Sequence, residues 1–510
     1  MAVALALRLR VFVGGIPGGV DTWYYLASAE ALRRRKRLPI SLPQYVFHDA
    51  TESYPAVFPV FLALLPPSLL RRWFWLVSPI IDACQLILLY LLSFRLTGSL
   101  LAAGIAGLVY AVTPQLISET RNLNGRAFAS LLQTITMVTL LWSRIPTNGP
   151  ILGWLGGHQS AAEVAAVVLV AILYNTHTST MIAFALSTAV LSLTTGDPHF
   201  IGVTLAGFPC AFLISGGYYR KVLENHLHAA RFWLRNVHLT RAHQVEDSPM
   251  IRAEGSRDSQ SIYRRGLRPR LELVARVLGE NPFIVAMLVA PIPVNVWGRD
   301  MYWWAVAILG WALATTFIRP LRIFGPGFHY MKASVFPSAY TLAITVNVNG
   351  RAIPKIGLAL SLLASFAALA YFYRLMALRQ TEHTARTPPE LLEAAAFLRA
   401  LPGRVCLVLP NMYADFFSYQ AKKSVLWGGH SGDLRKFEEF FPVLRKPLTY
   451  FFCKYAVDYV VLDLAYTTPE RLQVASLVRP LQVYGNIAIY AVLQREPLQV
   501  SSGVLVESSI

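Results

Sequence analysis

Charged residues are scarce in this sequence. Asp, Glu, Lys and Arg make up 15% of the 510 residues, whereas 55% are hydrophobic and the mean hydropathy is +0.45. Soluble globular domains carry about 25% charged residues, so the composition excludes an ordinary soluble protein. The sequence instead predicts an α-helical polytopic membrane protein.

Acidic residues are the scarcer charged class, with 28 Asp and Glu against 46 Lys and Arg, and the net charge is +18. The apolar stretches hold almost no charge, so the excess lies in loops and in any soluble domain, where it attracts lipid headgroups and phosphates. The basic residues are scattered among the apolar segments and form no recognisable nucleic-acid-binding motif. We therefore expect a lipid bilayer and phosphate-bearing ligands as partners, and no nucleic acid.

Cysteine is also rare, with four in the chain. Cys84 and Cys210 fall in apolar stretches, where a thiol packs as a small hydrophobe. Cys406 and Cys453 fall in the polar C-terminal third. We favour two buried thiols there, and a disulfide is the alternative if this part of the chain is extracytoplasmic.

Long apolar runs fill most of the first three quarters of the chain. A helix needs about 17 to 25 apolar residues to cross the hydrocarbon core. The windows that meet or approach this length are residues 74–94, 99–117, 127–143, 162–175, 179–194, 199–217, 281–297, 301–318, 333–348 and 355–373. With an N-terminal span, the sequence predicts about eleven membrane-spanning helices.

Two stretches near the start fit this pattern less well. The first residues offer less than a full span and place Arg8 and Arg10 in its middle, so either the first helix is short or the true start lies upstream. The stretch from Tyr54 to Leu70 is apolar but interrupted by prolines. It predicts an interfacial or re-entrant helix, because proline breaks a continuous crossing.

The charges of the loops suggest an orientation. Short basic loops, such as those at Arg95, Arg144 and Arg299, are cytoplasmic by the positive-inside rule if the loop after Asp21 faces outward, whereas the basic segment 319–332 then lies outside against the rule. We predict a multi-pass protein of the cell (plasma) membrane with its C-terminal domain extracytoplasmic.

From about Thr384 the composition becomes that of a soluble domain. Hydrophobic periodicity predicts, in order, a helix in TPPELLEAAAFLRAL, a strand in VCLVLP, a helix in DLRKFEEFFPVLRK, a strand in YVVLDLA, a helix in TPERLQVASL and a strand in NIAIYAVL. This alternation is typical of a small α/β domain. We expect a multispan domain over 1–378, with external loops 18–73 and 217–280, and an extracytoplasmic α/β domain over 379–510.

One carboxylate stands out in the apolar N-terminal region. Asp21 follows a Gly-Gly turn and precedes the helical pattern TWYYLASAEALRRRKR. A carboxylate there commonly caps a helix, and this role is compatible with a catalytic one. The helix ends in five consecutive basic residues, so we expect it to lie flat on the membrane with its cations at lipid phosphates.

The order of a GGxD turn, an amphipathic helix, a polar loop HDATES and a Tyr-Pro segment ahead of the multispan core resembles the polytopic GT-C glycosyltransferases. That superfamily includes oligosaccharyltransferase catalytic subunits, protein O-mannosyltransferases and aminoarabinose transferases, which take a sugar from a polyprenyl phosphate or pyrophosphate. The resemblance implies that Asp21 is the first-loop catalytic acid/base. It also implies that Tyr54 with Pro55 matches the following Tyr/His-Pro-Pro element, from which Ala56 departs.

The second external loop departs from the oligosaccharyltransferase pattern. In those enzymes this loop carries an acidic pair that helps to bind a divalent metal, whereas here ISETRNLNGRAFAS has Arg126, Ala127 and Phe128 after the glycine. We therefore predict no cofactor, with a divalent metal as the doubtful alternative. The candidate substrate-binding residues of the two loops are Asp49, Glu52, Glu119 and Arg121, each of which is more often a solvated loop charge.

Two further polar clusters are candidates for substrate binding. YNTHTST places His177 between two apolar spans, where a polar residue is a functional candidate by default. RPLRIFGPGFHYMK gathers basic and aromatic residues before the penultimate span, either as interface anchors or as a clamp for a lipid phosphate. Its members are Arg319, Arg322, His329, Tyr330 and Lys332.

The residues and the resemblance together predict a membrane hexosyltransferase of GT-C type. It would transfer a sugar from a polyprenyl (dolichyl) phosphate to a protein, lipid or glycan acceptor at the extracytoplasmic face. A transporter or flippase of lipid-linked substrates is one alternative, but no half-repeat is visible and the polar residues gather at one membrane face. A noncatalytic GT-C relative is another, because the second-loop acids are missing.

Overall fold

The computed structural model describes residues 1–13, 16–47, 53–143, 159–240, 242–251, 262–263, 266–349, 352–377, 386–428 and 437–493. The chain forms two compact units. The first comprises Met1–Leu42, Thr51–Thr240 and Ser261–Pro388, and the second comprises Pro43–Ala50, Arg241–Gln260 and Pro389–Ile510.

The described part of the first unit is almost entirely helical. Its first eight helices are α1 (Ala2–Leu9), α2 (Thr22–Arg35), α3 (Val57–Leu64), α4 (Pro67–Thr97), α5 (Leu100–Val112), α6 (Pro114–Glu119), α7 (Gly125–Trp142) and α8 (Gln159–Tyr174). The next eight are α9 (Thr178–Thr195), α10 (His199–Ile214), α11 (Tyr218–Asn236), α12 (Leu267–Glu280), α13 (Phe283–Val289), α14 (Val296–Phe317), α15 (Lys332–Asn349) and α16 (Ala352–Ala377). The 3₁₀ turns Arg319–Phe324 and Gly327–Tyr330 connect α14 to α15.

Three of the described helices are long and apolar enough to cross a membrane, namely α4, α9 and Ala352–Leu375 of α16. A fourth crossing results if α10 and Tyr218–Leu239, which are bent by 117° relative to each other, form one broken span. These helices and the apolar composition make the chain a multi-pass membrane protein. The predicted number of eleven spans stays a prediction.

Prolines divide two of the predicted spans. The window 281–297 is wrong as a single helix, because Pro291 and Pro293 separate α13 from α14. The window 99–117 divides in the same way at Pro114, between α5 and α6. Proline lacks an N–H donor and disfavours the helical conformation of the residue before it, so an apolar run containing proline need not be one helix.

The charge in the middle of the first apolar stretch has a buried partner. Arg8 of α1 forms an ion pair with Asp82 of α4 and donates hydrogen bonds of 3.0 Å to the carbonyl oxygens of Ala4 and Ala111. The Tyr110 hydroxyl donates to the other Asp82 oxygen at 2.8 Å. The sequence analysis did not single out Asp82, yet this pairing is what allows an arginine inside an apolar helix.

The helix that follows Asp21 is buried along most of its length, including Thr22–Ala29. Trp23 packs on Phe74 of α4, and Tyr25 packs edge-on against Phe58 of α3. The expectation that α2 lies flat on lipid is therefore wrong for its apolar side, which contacts protein. Aromatic side chains gain more from a packed core than from one face of lipid.

A five-stranded mixed sheet forms the centre of the second unit. Its strands are β3 (Val405–Leu409), β4 (Ser424–Val425), β5 (Tyr459–Asp463), β6 (Val478–Tyr484) and β7 (Ile487–Val492), in the order β4-β3-β5-β7-β6. Strand β3 is parallel to β4 and β5, and β7 is antiparallel to β5 and β6. The buried face of α17 (Pro389–Ala400) contacts β6 and β7. In the first unit, the two-residue strands β1 (Ile16–Pro17) and β2 (Arg386–Thr387) pair with each other in antiparallel orientation.

Two predicted helices of the second unit are shorter than predicted where the structure describes them. Of DLRKFEEFFPVLRK the structure describes 437–446, where Phe437 is helical and turns and bends follow, because Pro442 interrupts the pattern. TPERLQVASL makes a single helical turn that ends at Gln473, whose φ is 58°. The helices α18 (Ala414–Gln420) and α19 (Leu448–Lys454), and the strand β6, were not predicted.

Two loop segments belong to the second unit rather than to the membrane unit. Tyr45 forms a bridge to Val425 at the edge of the sheet. The Gln244 side chain donates to the Phe440 carbonyl at 2.8 Å, and the Ser248 hydroxyl donates to that of Leu444. The predicted boundary near residue 379 misses these segments, since composition along the chain cannot reveal contacts between distant residues.

Both cysteines of the second unit are free thiols, and so are Cys84 and Cys210. Cys406 is buried in β3, and burial raises the pKa of its thiol to about 12. This thiol is therefore unreactive at neutral pH.

Candidate functional site

Asp21 lies in the turn that precedes α2. Asp21 occupies the N-cap position, but its side chain makes no capping hydrogen bond to the helix. Thr22 instead fixes the turn, because its hydroxyl donates to the Gly18 carbonyl at 2.8 Å and accepts from the Leu123 amide at 3.1 Å. The Asp21 carboxylate is half-buried and does not cap α2. The hydrogen bonds of Thr22 hold this turn beside the second loop.

The second loop is organised by Asn124, the N-cap of α7. Its side-chain oxygen accepts from the Arg126 amide at 2.9 Å, and its side-chain nitrogen donates to the Glu119 carbonyl at 2.7 Å. Asparagine is well suited to this role, since it caps the helix and bridges the loop at once. The loop therefore presents Glu119 and Arg126 from a fixed backbone.

Glu119 and Arg126 form an ion pair with a distance of 3.3 Å between Oε2 and Nη1. The Glu119 side chain is 9% exposed and that of Arg126 is 35% exposed. Burial raises the pKa of Glu119, but the positive charges of Arg126, Lys332 and His329 outweigh it and lower the pKa to about 2. Glu119 is therefore an anion that holds cations in place, rather than a proton donor.

Further charges surround this ion pair. Arg121 interacts electrostatically with Glu119, Glu280 and Asp21, and Arg126 also interacts with Asp21. We call Asp21, Glu119, Arg121, Arg126, His329 and Lys332 the mixed-charge cluster. Lys332 is buried, whereas Asp21 and both arginines are partly exposed. The cluster thus has a sealed side around Glu119 and an accessible side around Asp21.

Two tyrosines adjoin the mixed-charge cluster at Arg126, namely Tyr25, which is buried, and Tyr54, which is partly exposed. The hydroxyls of Tyr25 and Tyr54 are hydrogen-bonded, and burial, Tyr54 and Asp21 together raise the pKa of Tyr25 well above its usual value. Gly125 faces this pair closely, because a Cβ there would lie 3.2 Å from the Tyr25 hydroxyl oxygen. The Tyr54 carbonyl accepts from the Tyr218 hydroxyl at 2.7 Å. The Tyr25 hydroxyl therefore stays protonated, as a hydrogen-bonding group that interacts with both Tyr54 and Asp21.

The turn with His177 is adjacent to the Tyr54 segment. The Val57 amide donates to the Asn175 carbonyl at 3.1 Å, which joins the two turns. His177 is the N-cap of α9, and its Nδ1 lies 3.0 Å from the Ser179 hydroxyl. The turn that holds His177 is thus joined, through Asn175, to the start of α3, which follows the Tyr54 segment. A role of His177 in substrate binding stays a prediction.

The predicted phosphate clamp is divided. His329 and Lys332 face Glu119, whereas Arg322 stacks on Tyr263 at 4.4 Å and donates to the Thr316 carbonyl. Arg319 is exposed, and Tyr330 donates to the Phe324 carbonyl at 2.6 Å. These residues lie on two successive 3₁₀ turns and, for Lys332, on the first residue of α15, so a sequence run of fourteen residues does not place all its cations on one side. The candidates Asp49 and Glu52 lie outside the described residues.

The described residues do not fit a divalent-metal site. Among them, no group of three or more His, Cys, Asp or Glu side chains could hold a metal ion. The carboxylate of Glu119 is paired with Arg126, and Asp21 also faces arginines. Both described carboxylates thus interact with cations of the protein rather than with each other. Metal independence stays a prediction.

Three residues next to the cluster are not apparent from the sequence pattern. Tyr25 is one of several aromatic residues of α2, and Asn124 is one polar residue in a polar loop. Arg126 departs from the acidic pair in the sequence, whereas in the structure it is the partner of Glu119. The signal for Asn124 was its place before a glycine and an apolar helix, which is typical of an N-cap.

Comparisons with known proteins give structural neighbours only. No family model matches the sequence, and no curated protein sequence matches it. The fold is similar to the archaeal oligosaccharyltransferase AglB from Archaeoglobus fulgidus in complex with an inhibitory peptide and a dolichol-phosphate. The TM-score is 0.53 at 13% identity, over 91% of this chain and 69% of that one.

It is also similar to ArnT from Cupriavidus metallidurans. The apo state gives a TM-score of 0.57 at 12% identity over 98% of each chain. The state bound to undecaprenyl phosphate gives 0.54 at 14% identity over 96% of each chain. These identities establish the fold alone.

Proposed function

Because the chain has the fold of the GT-C glycosyltransferases, we propose that it transfers a sugar from a polyprenyl (dolichyl) phosphate to an acceptor at the extracytoplasmic face. The observation that carries this proposal is the accessible side of the mixed-charge cluster. There a half-buried carboxylate, Asp21, lies among the guanidinium groups of Arg121 and Arg126. A base beside an anion-binding pair is what transfer from a phosphate ester requires.

Asp21 is the base in this proposal. Its carboxylate accepts the proton from an acceptor hydroxyl while that oxygen attacks the anomeric carbon. The bond from the anomeric carbon to the phosphate oxygen breaks, charge develops as in an oxocarbenium ion, and the lipid phosphate leaves with the bonding electrons. A single displacement inverts the anomeric configuration, and Asp21 returns its proton to solvent.

Arg121 and Arg126 bind the departing phosphate. Guanidinium groups form paired, charge-assisted hydrogen bonds with phosphate, and they stabilise the negative charge that grows as the glycosidic bond breaks. Glu119 is a positioning residue, since it holds Arg126 from the sealed side. The Tyr25 and Tyr54 hydroxyls orient the acceptor or the sugar beside Asp21.

The structural neighbours support a polyprenyl phosphate as the carrier. AglB was solved with a dolichol-phosphate, and ArnT with undecaprenyl phosphate. The basic composition of this chain agrees with a phosphate-bearing ligand. The acceptor is a protein, a lipid or another glycan.

The test uses membranes that contain the full chain and a panel of radiolabelled polyprenyl-phosphate sugars. We expect one donor to release its label to an acceptor and to leave polyprenyl phosphate behind, and we expect Asp21→Asn to stop both. Asp197→Asn is the matched control, because it also removes a carboxylate charge but keeps the oxygen that accepts from the His199 amide. If folded wild type releases label from none of the donors, or Asp21→Asn turns over normally, the proposal fails.

A further inference from the structure

A groove lies at the far end of α2, beside α3. It has a volume of about 510 Å³, within the roughly 300 to 1,000 Å³ of small-molecule sites. Its walls include the apolar side chains of Leu32, Val60 and Leu64, and its rim carries Lys36 and Arg37. The groove is therefore amphipathic, with an apolar floor and a cationic edge.

The two cations at the rim differ from the neighbouring Arg33 in their exposure. Arg33 is used within the protein, because it donates to the carbonyl oxygens of Leu62, Ala63 and Leu65 at the end of α3. Arginines in the last helical turn also complement the helix dipole. Lys36 and Arg37 lie beyond the last residue of α2 and are exposed. Both cations are therefore accessible to a ligand at the rim of the groove.

The apolar side of the groove is unusually open. Leu64 is 80% exposed and Val60 is 38% exposed, although both belong to a helix of apolar residues. Exposed leucine next to exposed lysine and arginine matches an amphiphile that has a hydrocarbon chain and an anionic head. Neither an inorganic anion nor a neutral lipid would use both parts.

We propose that this groove binds one anionic phospholipid, with its phosphate at Lys36 and Arg37 and an acyl chain along Val60 and Leu64. The helix distinguishes this lipid from the sugar carrier. The fourteen residues of α2 separate Asp21 from Lys36 by about 20 Å at 1.5 Å per residue. A phosphate held at Lys36 therefore cannot carry the sugar that reacts at Asp21.

The lipid would brace α2 against α3. Its acyl chain contacts α3, and its head contacts the end of α2, whose opposite end positions Asp21. The proposal does not depend on the proposed glycosyl transfer, because it needs only a membrane location.

The test is native mass spectrometry of the purified full chain in detergent, with dioleoylphosphatidylglycerol or dioleoylphosphatidylcholine added. We expect wild type to retain phosphatidylglycerol in preference to phosphatidylcholine. The double variant Lys36→Gln/Arg37→Gln should lose about 30-fold in retention, as expected for two cations near a lipid phosphate. The control Arg34→Gln/Arg35→Gln removes the same charge from exposed residues that do not line the groove, and it should retain the lipid.

A second line of evidence does not rely on charge variants. Val60→Trp fills the groove without changing the charge and should also lose the lipid. In wild type, a photoactivatable phosphatidylglycerol should label residues 32–38 and 60–64, which line the groove, and this result holds even if a variant fails to fold. Equal loss in both double variants, or labelling elsewhere, would overturn the proposal. So would displacement of phosphatidylglycerol by equimolar undecaprenyl phosphate, which would assign the groove to the carrier. All these readings are made without sugar donor, so they are independent of transferase activity.

Discussion

Two clusters in the membrane unit each contain an arginine–carboxylate ion pair, but the two clusters differ in what they can do. Arg8, Asp82 and Tyr110 are fully buried and satisfy one another, together with backbone carbonyls of α1 and α5. Glu119 and Arg126 are also paired, but Arg126 is 35% exposed and interacts with a second, half-buried carboxylate, Asp21. The first cluster can only hold helices together, whereas the second can exchange its partners for a ligand.

The difference teaches how to distinguish structural from functional charges in an apolar protein. A buried charge is costly in either place. In the Arg8 cluster the cost is offset within the protein, although Nη2 of Arg8 has no hydrogen-bond partner among the described residues. In the mixed-charge cluster several cations share few anions, so an incoming phosphate has positive charge to bind.

The largest effect expected is on catalysis. General-base assistance is worth about 10² to 10⁴ in rate, so Asp21→Asn should lower kcat/KM by that factor with only a small change in the melting temperature. The reason is that asparagine keeps the shape of the half-buried side chain and one of its oxygens, and loses only the charge that faces Arg121 and Arg126. Label transfer from the active donor and a melting curve measure the two parts. If the variant has a lower melting temperature and transfers sugar normally per folded molecule, Asp21 stabilises the fold and does not act in catalysis.

The next effect concerns stability. Asp82→Asn should lower the free energy of unfolding by about 3 to 5 kcal/mol, because it leaves Arg8 buried without its counter-ion. Transfer per folded molecule should be unchanged. The double variant Arg8→Met/Asp82→Leu should recover most of the loss, since two apolar residues need no partner. Thermal unfolding in detergent measures both variants. Full stability of Asp82→Asn alone would contradict the claim that Asp82 stabilises the fold as the counter-ion of Arg8.

A smaller effect is expected from the phosphate-binding arginines. Arg126→Gln should raise the KM for the donor about 10- to 100-fold, the loss expected for a hydrogen bond to a charged group. Arg126→Lys should lie between wild type and this variant, because lysine keeps the charge but not the paired donors. Donor titrations with both variants measure this order. If Arg126→Lys is as poor as Arg126→Gln, geometry and not charge controls binding.

The smallest effect is the response to acid. The pKa of Glu119 is lowered to about 2 in the folded protein, so its ion pair stabilises the fold above the ordinary glutamate pKa. This stability is lost as the pH falls from about 4.5 toward 2. Glu119→Gln should remove this part of the pH dependence. Melting temperatures measured from pH 3 to 7 in both proteins check it, and identical slopes would contradict the pairing.

The sequence was most informative about local elements. Apolar periodicity located α4, α9 and α16, and the strands in VCLVLP, YVVLDLA and NIAIYAVL. It failed where proline or a left-handed residue ended a pattern, as at Pro291 and Gln473. Those breaks depend on single residues within otherwise regular runs.

The candidate site was only partly predictable. Asp21, Glu119, Arg121, His329 and Lys332 could be selected because polar residues in an apolar chain are few. Their partners could not be assigned, because the pairing of Glu119 with Arg126 and Lys332 depends on how α6, α7 and α15 pack. Asp82 was hidden for the same reason, since a lone acid in an apolar helix gains meaning only beside Arg8.

One measurement tests the central claim that the mixed-charge cluster performs the chemistry and that the cluster of Arg8, Asp82 and Tyr110 does not. Release of polyprenyl phosphate from the active labelled donor is followed in membranes with equal amounts of folded wild type, Asp21→Asn and Asp82→Asn. We predict release by wild type and Asp82→Asn, and a loss of at least about 10²-fold in Asp21→Asn. Equal release by Asp21→Asn and wild type would contradict the account.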